Sequence, residues 1–412
     1  MKRVVITGMG AVTPVGNNVG TLWENAKKGI CGIDEITAFD TTAHKVKLAA
    51  EVKDFNATPL LSKQEVRKLD RFVQFAIIAA REAYDDAGLT DALDKEQMGV
   101  SVSSGIGGLY TIEETANKLR DAGPNRISPH FIPKVLTNLA AGNVAIHLGA
   151  KGMCHTVVTA CAAGTDAIGT AFQHIGAGRA DVMIAGGAEA SITPLGIAGF
   201  SIIRAISEEV DKARASIPFD KERNGFIMGE GAGMLVLESL EHATARGAKI
   251  YGEIVGYGAT CDAFHVTAPA EDGNGSVRAM KLALHDAGIA AEEIDYINAH
   301  GTSTPLNDKI ETKAVKETFG DHARKLLMSS TKGMTGHLLG ATGAVEAILS
   351  IKSLEEGYIL PTLNYQVSDH DCDLDIVPNV GREQAITYAM SNSLGFGGHN
   401  ASIIFKKWED EV

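Results

Sequence analysis

REAYDDAGLTDALDKEQMGVSVSSGIGG at residues 81–108 and RAMKLALHDAGIAAEEIDYINAHGTST at residues 278–304 carry the same succession of features. In each, an Ala-rich helical pattern ends in Asp-Ala-Gly. A short acidic connection follows, then an apolar strand, then a loop holding glycine. The two triplets, at Asp86 and Asp286, stand 200 residues apart in a chain of 412. The openings agree as well: VVITGMGAVT from Val4 and EIVGYGATCD from Glu253. Two similar α/β halves, 1–250 and 251–412, packed about a pseudo-two-fold axis are therefore expected, and chance likeness of Ala/Gly-rich helices is the competing explanation. Under the duplication Gly105 and Gly301 are equivalent, and their loops should face one another across one site.

Outside the repeat the chain keeps the same alternation. VVITG, VSVSS, TVVTA and DVMIAGGA are short β-rich runs ending in small residues, separated by amphipathic stretches such as FVQFAIIAAREAYDDAG. That is the pattern of layered α/β sheets buried on both faces. The segment GMGAVTPVG resembles a dinucleotide fingerprint, but the third glycine position holds Thr13, so a structural glycine turn is expected instead. A hydrophobic content of 45% supplies a large core, and no apolar run approaches the ~18 residues that would span a membrane. The opening MKRVVITGMG lacks a signal peptide's apolar segment, so a cytoplasmic location is expected. Cysteines 31, 154, 161, 261 and 372 form neither a CxxC pair nor a zinc pattern. A net charge of −13 argues against nucleic-acid binding.

Four segments carry chemistry. In TVVTACAAGTDAIGTAFQHI, a β-branched strand over 156–159 runs through Cys161 into a helix. A helix N-terminus there would lower the thiol pKa and supply thiolate; a buried structural cysteine would fit the same segment. INAHGTSTPLND puts His300 at a strand end, and SSTKGMTGHLLGATGAVEAI puts Lys332 and His337 between a strand and a helix. Each histidine alone suits a structural role, but strand ends are where open α/β sheets place ligands. A cysteine, two histidines and a lysine suit acyl-thioester formation followed by attack of a carbanion. Two neutral imidazoles can hold the thioester oxygen of the second substrate, and the lysine can bias their protonation. A cysteine protease has no use for the second histidine. In SNSLGFGGHNA, the backbone N–H groups around Phe396 could complete an oxyanion hole with that of Cys161, or the loop could be a tight turn over a core Phe.

TACAAG, NAHGTSTPLND, TKGMTGHLLGATGAVEAI and GFGGHN, in that order, resemble the motifs of the β-ketoacyl-acyl-carrier-protein synthases along essentially the whole chain, most nearly those of the synthase II type. The resemblance implies a thiolase-like, five-layered αβαβα fold and a homodimer. It implies an acyl group on Cys161, a malonyl thioester polarised by His300 and His337, and support of His337 by Lys332. Phe396 would gate access, and Ile106, Thr302 and Thr304 would contact substrate. No cofactor is required, although Asn307, Glu346, Ser391 and Asn392 could hold a structural cation. Gly333 and Leu394 depart from the usual Ser and Phe, which bears on fine selectivity.

LSKQEVRKLDRF at 61–72 opens with Ser62 and Glu65 in capping-box register and Leu61 and Val66 as a hydrophobic staple. Lys63, Arg67 and Arg71 then fall on one helical stripe with Lys68 beside it. A solvated charged helix is one explanation. The family likeness favours another, docking of an acidic acyl carrier protein together with Arg126 and Arg204. A polyketide-type ketosynthase and a non-catalytic chain-length-factor-like partner remain as alternatives, the second disfavoured by Cys161. A thiolase would carry a further cysteine in the GFGG region, and a synthase III type would carry Asn where His337 stands.

Overall fold

The computed structural model describes residues 1–90 and 93–409; Asp91 and Ala92, in the first acidic connection, lie outside them. Among the described residues ten strands form the main sheet. They are β1 (Val4–Val12), β2 (Met98–Ser103), β3 (Cys154–His155), β4 (Val182–Glu189), β5 (Gly231–Ser239), β6 (Gly252–Cys261), β7 (Tyr296–Asn298), β8 (Leu327–Ser329), β9 (Tyr388–Gly395) and β10 (His399–Lys407). Their order is β8-β7-β9-β10-β6-β1-β5-β4-β2-β3. Outward from the middle, the first five strands run 1-5-4-2-3 and the last five repeat it as 6-10-9-7-8. The duplication suspected from two short segments thus extends to the whole topology. Three antiparallel pairs, Val4↔Ile254 to Ile6↔Gly252, join the halves edge to edge.

The helices that bear on the site are α1 (Lys63–Lys68), α2 (Arg71–Asp86), α3 (Leu109–Ala122), α4 (Ala163–Gly176), α5 (Pro194–Ile202), α6 (Asn274–Ala287), α7 (Pro305–Phe319) and α8 (Thr342–Glu356). α4 and α8 pack on each other in the centre, α4 against β4 and α8 against β5 and β9. α2 covers β1 and β5 from one side, and α6 covers β6 and β10 from the other. The result is the αβαβα layering.

The repeat is built from matching contacts. A Cβ on Gly8 or Gly10 would overlap the α2 backbone at Ala83 or Ala79; Gly256 and Gly258 stand in the same way against Ala283 and Ala279 of α6. The Asp86 carboxylate accepts from the Met9 N–H at 2.9 Å, and that of Asp286 from the Tyr257 N–H at 3.0 Å. The glycines of GMG therefore lie inside β1, where they let a helix approach; they do not form the turn expected of them. The two central helices touch at their first turns, where a Cβ on Gly164 would lie 2.9 Å from the Gly340 carbonyl.

Two other expectations change. The ladder at residues 154–159 stops at His155; Thr156 and Val157 hold to β2 by side-chain hydrogen bonds, Thr156 Oγ1 to the Val102 carbonyl and the Val157 N–H to Ser103 Oγ. The Gly105 and Gly301 loops do not face one another. Gly105 lies against Ala160, Glu189 and Gly340, whereas Gly301 lies against Ser330 and Phe219. No described helix is long and apolar enough to cross a membrane.

Candidate active site

Cys161 sits on a sharp turn. Ala160 has φ +51°, which L-residues seldom adopt, and a 3₁₀ turn over Ala160–Ala162 delivers the chain into α4. Gly395 closes over this turn: a Cβ there would lie 2.7 Å from the Thr159 carbonyl and 3.2 Å from the Cys161 nitrogen. The pKa expectation is reversed. Burial pushes the thiol up to about 12, while the Lys332 charge and the N–H groups of Phe396 and Cys161 pull the other way. Those two N–H groups nonetheless face the sulfur, so an oxyanion forming there would meet both.

His300 and His337 are buried, with ring centroids 5.3 Å apart and planes at 86°. The strand ends place His300 just beyond β7. His337 is fixed differently: its N–H donates to the Ile227 carbonyl at 2.7 Å, and its own carbonyl accepts from Gly229 at 2.8 Å. Thr342 Oγ1 lies 2.9 Å from His337 Nδ1. With that hydroxyl donating, the ring proton sits on Nε2. The Phe226 ring edge packs on the same imidazole, centroids 5.1 Å apart. Burial, and then the Lys332 charge, hold both histidines well below the usual imidazole range, so both are neutral at pH 7. Lys332 itself is buried in an ion pair with Glu346. Burial pushes Glu346 and Glu311 up to about 7. Glu311 clamps the first histidine loop, accepting from the N–H groups of His300 and Gly301, both at 2.8 Å.

A cavity of about 380 Å³ opens over these groups. Cys161, His300, His337, Thr302, Thr304 and Phe396 all line it, and Arg204 stands at its rim. The Thr302 and Thr304 hydroxyls lie 2.9 Å apart. The Phe396 ring lies 6.3 Å from that of Phe200, an α5 residue on the same wall. Ile106 packs in an apolar cluster together with Cys161, Phe200 and Phe226.

The family description "Beta-ketoacyl synthase, N-terminal domain" matches residues 1–243, and "Beta-ketoacyl synthase, C-terminal domain" matches residues 251–366. The chain belongs to the beta-ketoacyl synthase family. It is 56% identical over 410 residues to a Staphylococcus aureus (strain N315) protein named 3-oxoacyl-acyl-carrier-protein synthase 2, with 99% of each chain covered. A Synechocystis protein of the same name is 50% identical over 410 residues, again with 99% of each covered. Among solved structures, a type II PKS acyl-carrier protein in complex with its ketosynthase bound to the hexaketide superposes with a TM-score of 0.92. Its identity is 36%, and the match covers 99% of this chain and 100% of that one.

One group of residues named for this beta-ketoacyl synthase lies partly elsewhere than expected. The helix begun at Ser62 has its capping box, with the Ser62 N–H donating to Glu65 at 2.8 Å, and Leu61 and Val66 share one cluster. It ends at Lys68, however, because Leu69 is extended and Asp70 starts α2. The stripe is broken, and Arg71 turns inward. Its guanidinium pairs with buried Glu230 at 2.7 Å and lies over the Phe75 ring at 4.6 Å. Lys63, Arg67, Lys68 and Arg126 are exposed. In the proposed cation set, Asn307 lines the cavity and donates to Asp308, and the Asn392 carbonyl oxygen accepts from Ser402. Of the same set, Glu346 Oε2 and Ser391 Oγ are buried without a hydrogen-bond partner, as are the amide atoms of Asn298 nearby. Asn298 and Ser391 lie in register across β7 and β9. Thr342, Phe226 and Glu311 carried no sequence signal, since each depends on tertiary approach.

Proposed function

We infer that the chain catalyses decarboxylative condensation in fatty acyl elongation. The observation that carries this reading is one cavity lined by one thiol and two buried, neutral imidazoles. The Cys161 sulfur attacks the thioester of an acyl carrier protein; its proton passes to a neighbouring imidazole and leaves with the carrier thiol. The developing oxyanion meets the N–H groups of Cys161 and Phe396. A malonyl-carrier thioester then places its carbonyl oxygen on the Nε2–H groups of His300 and His337. Loss of CO2 leaves a carbanion, which forms a carbon–carbon bond to the acyl carbon as the bond to Cys161 breaks. The product is a 3-oxoacyl-carrier two carbons longer.

Thr302 and Thr304 offer hydroxyls to the carrier's polar linker, Phe396 gates the mouth, and Ile106 contacts the acyl chain. Lys63, Arg67, Lys68, Arg126 and Arg204 form the docking surface for an acidic carrier, a role supported by their exposure and by the carrier complex of the solved relative. A homodimer is supported by the exposed large apolar side chains of Tyr110, Leu119, Ile132, Leu136 and Ile146. A cation at Asn298, Glu346 and Ser391 would supply counter-charge to the Glu346 carboxylate. A polyketide-type ketosynthase is the second reading, favoured by the 36% identical structure; it would extend its own product without reduction.

The test is intact-mass analysis with acyl- and malonyl-carriers. The wild type should gain one acyl mass and then release a product two carbons longer, and Cys161→Ala should gain none. An acylated Cys161→Ala protein would end the reading.

A further inference from the structure

Glu189 has no part in the chemistry above, yet it is fully buried at the end of β4, and the groups that reach it are donors. Its Oε1 accepts from Ser104 Oγ at 3.0 Å, Ser191 Oγ at 3.1 Å and the Ile106 N–H at 3.4 Å. Its Oε2 accepts from the N–H groups of Gly105 at 2.7 Å and Gly340 at 3.1 Å. Burial pushes its pKa up, while these five hydrogen bonds favour the carboxylate.

The pocket lies at the duplicated turn. Ala160 and Leu339 have φ of +51° and +48°. Each opens the same sequence of structure: the 3₁₀ turns Ala160–Ala162 and Leu339–Ala341, then the central helices from Ala163 and Thr342. Gly340 therefore holds, in the second half, the position that Cys161 holds in the first. At Cys161, its own N–H and that of Phe396 face the sulfur. At Gly340, its own N–H and that of Gly105 face Glu189 Oε2. The second turn has no room for a nucleophile, because a Cβ on Gly340 would overlap the Gly105 nitrogen.

We propose that Glu189 is a positioning residue, an internal anion filling the donor pocket where the Ile106 loop meets the Gly340 turn. It ties the Ile106 loop, which shares an apolar cluster with Cys161, to the Gly340 turn, which leads into Thr342 and the His337 it orients. Selection of acyl-chain length then depends on a carboxylate that no substrate touches. This role rests on the proposed placement of the acyl chain against Ile106.

The experiment measures Cys161 acylation by short and long acyl-carriers in wild type, Glu189→Gln and Ser104→Ala. The Gln amide turns N–H groups onto at least one set of donors, and Ser104→Ala removes one tether of the Ile106 loop. The ratio of short- to long-chain rates within one variant does not depend on how much of it is folded. Freed from its tether, the loop should discriminate less, and the ratio should flatten by about 3- to 10-fold in Glu189→Gln and less in Ser104→Ala. If Glu189→Gln fails to fold, the ratio in Ser104→Ala decides. A wild type that takes no acyl group removes the proposed function and this role with it. An acylated wild type whose ratio the folded variants keep removes only the role of Glu189.

Discussion

A thiol pushed up to about 12 holds its proton at neutral pH. The helix end beside Cys161 is real, but desolvation of a sulfur in an apolar cluster outweighs it. Alkylation of Cys161 by a neutral electrophile, followed on its own peptide, should thus climb about tenfold per pH unit from about 7 to 9 without levelling. A plateau inside that range would mean that the helix end and Lys332 prevail over burial. The imidazoles shift the opposite way for the same reason: burial disfavours their charged form. His300→Ala or His337→Ala should each cut malonyl decarboxylation by about 10²–10³, as loss of an oxyanion donor does, while some acylation persists. Decarboxylation at the wild-type rate would make that histidine structural. Lys332 is the second influence holding both rings neutral, so Lys332→Met should let them protonate at higher pH. A protonated ring cannot take the thiol proton, so the acid limb of the acylation rate should move upward relative to wild type. An unmoved limb would show that burial alone sets the imidazoles.

At the scale of elements, local chemistry is legible and long-range approach is not. The capping box at Ser62 and the staple at Leu61 are written within six residues, and both form. The break after Lys68 was also written, in an Asp70 placed to begin the next helix. Its effect, however, depends on Glu230, more than a hundred residues away, which draws Arg71 out of the stripe. Two consequences separate by experiment. Charge reversal at Lys63 or Arg67 should raise KM for carrier-borne substrates and leave small thioester mimics and the melting temperature little changed. Arg71→Ala should behave as a folding lesion. It strands the Glu230 carboxylate, at a cost of about 2–3 kcal/mol, below the usual figure for a fully buried pair because Arg71 is partly exposed. A melting temperature within a degree of wild type would return Arg71 to the docking surface.

For the whole molecule, the repeat was visible where helix, acidic turn and strand follow each other without insertion, at Asp86 and Asp286. It was invisible at Cys161 and Gly340, because TACAAG and LLGATG share little beyond small residues once the nucleophile is gone. What the sequence could not show is that these two turns meet. α4 and α8 cross where Gly164 and Gly343 face one another's first turns. A Cβ on Gly343 would overlap Thr165 Oγ1 and lie 2.9 Å from both the Thr165 backbone nitrogen and Ser393 Oγ. The hydroxyl can rotate away, but the backbone nitrogen cannot, so Gly343→Ala must push the central helices apart. Overpacking of this kind costs about 1–3 kcal/mol. One helix follows the Cys161 turn and the other begins at Thr342, so the displacement also separates the thiol from His337. Gly343→Ala should therefore lose stability and condensation activity together. Gly199, exposed in α5 with no atom near a would-be Cβ, is the control. Gly199→Ala should be neutral or stabilising by up to about 1 kcal/mol. The measurement is a denaturant midpoint for each variant. A Gly343→Ala protein as stable as Gly199→Ala would show that the halves do not depend on this crossing.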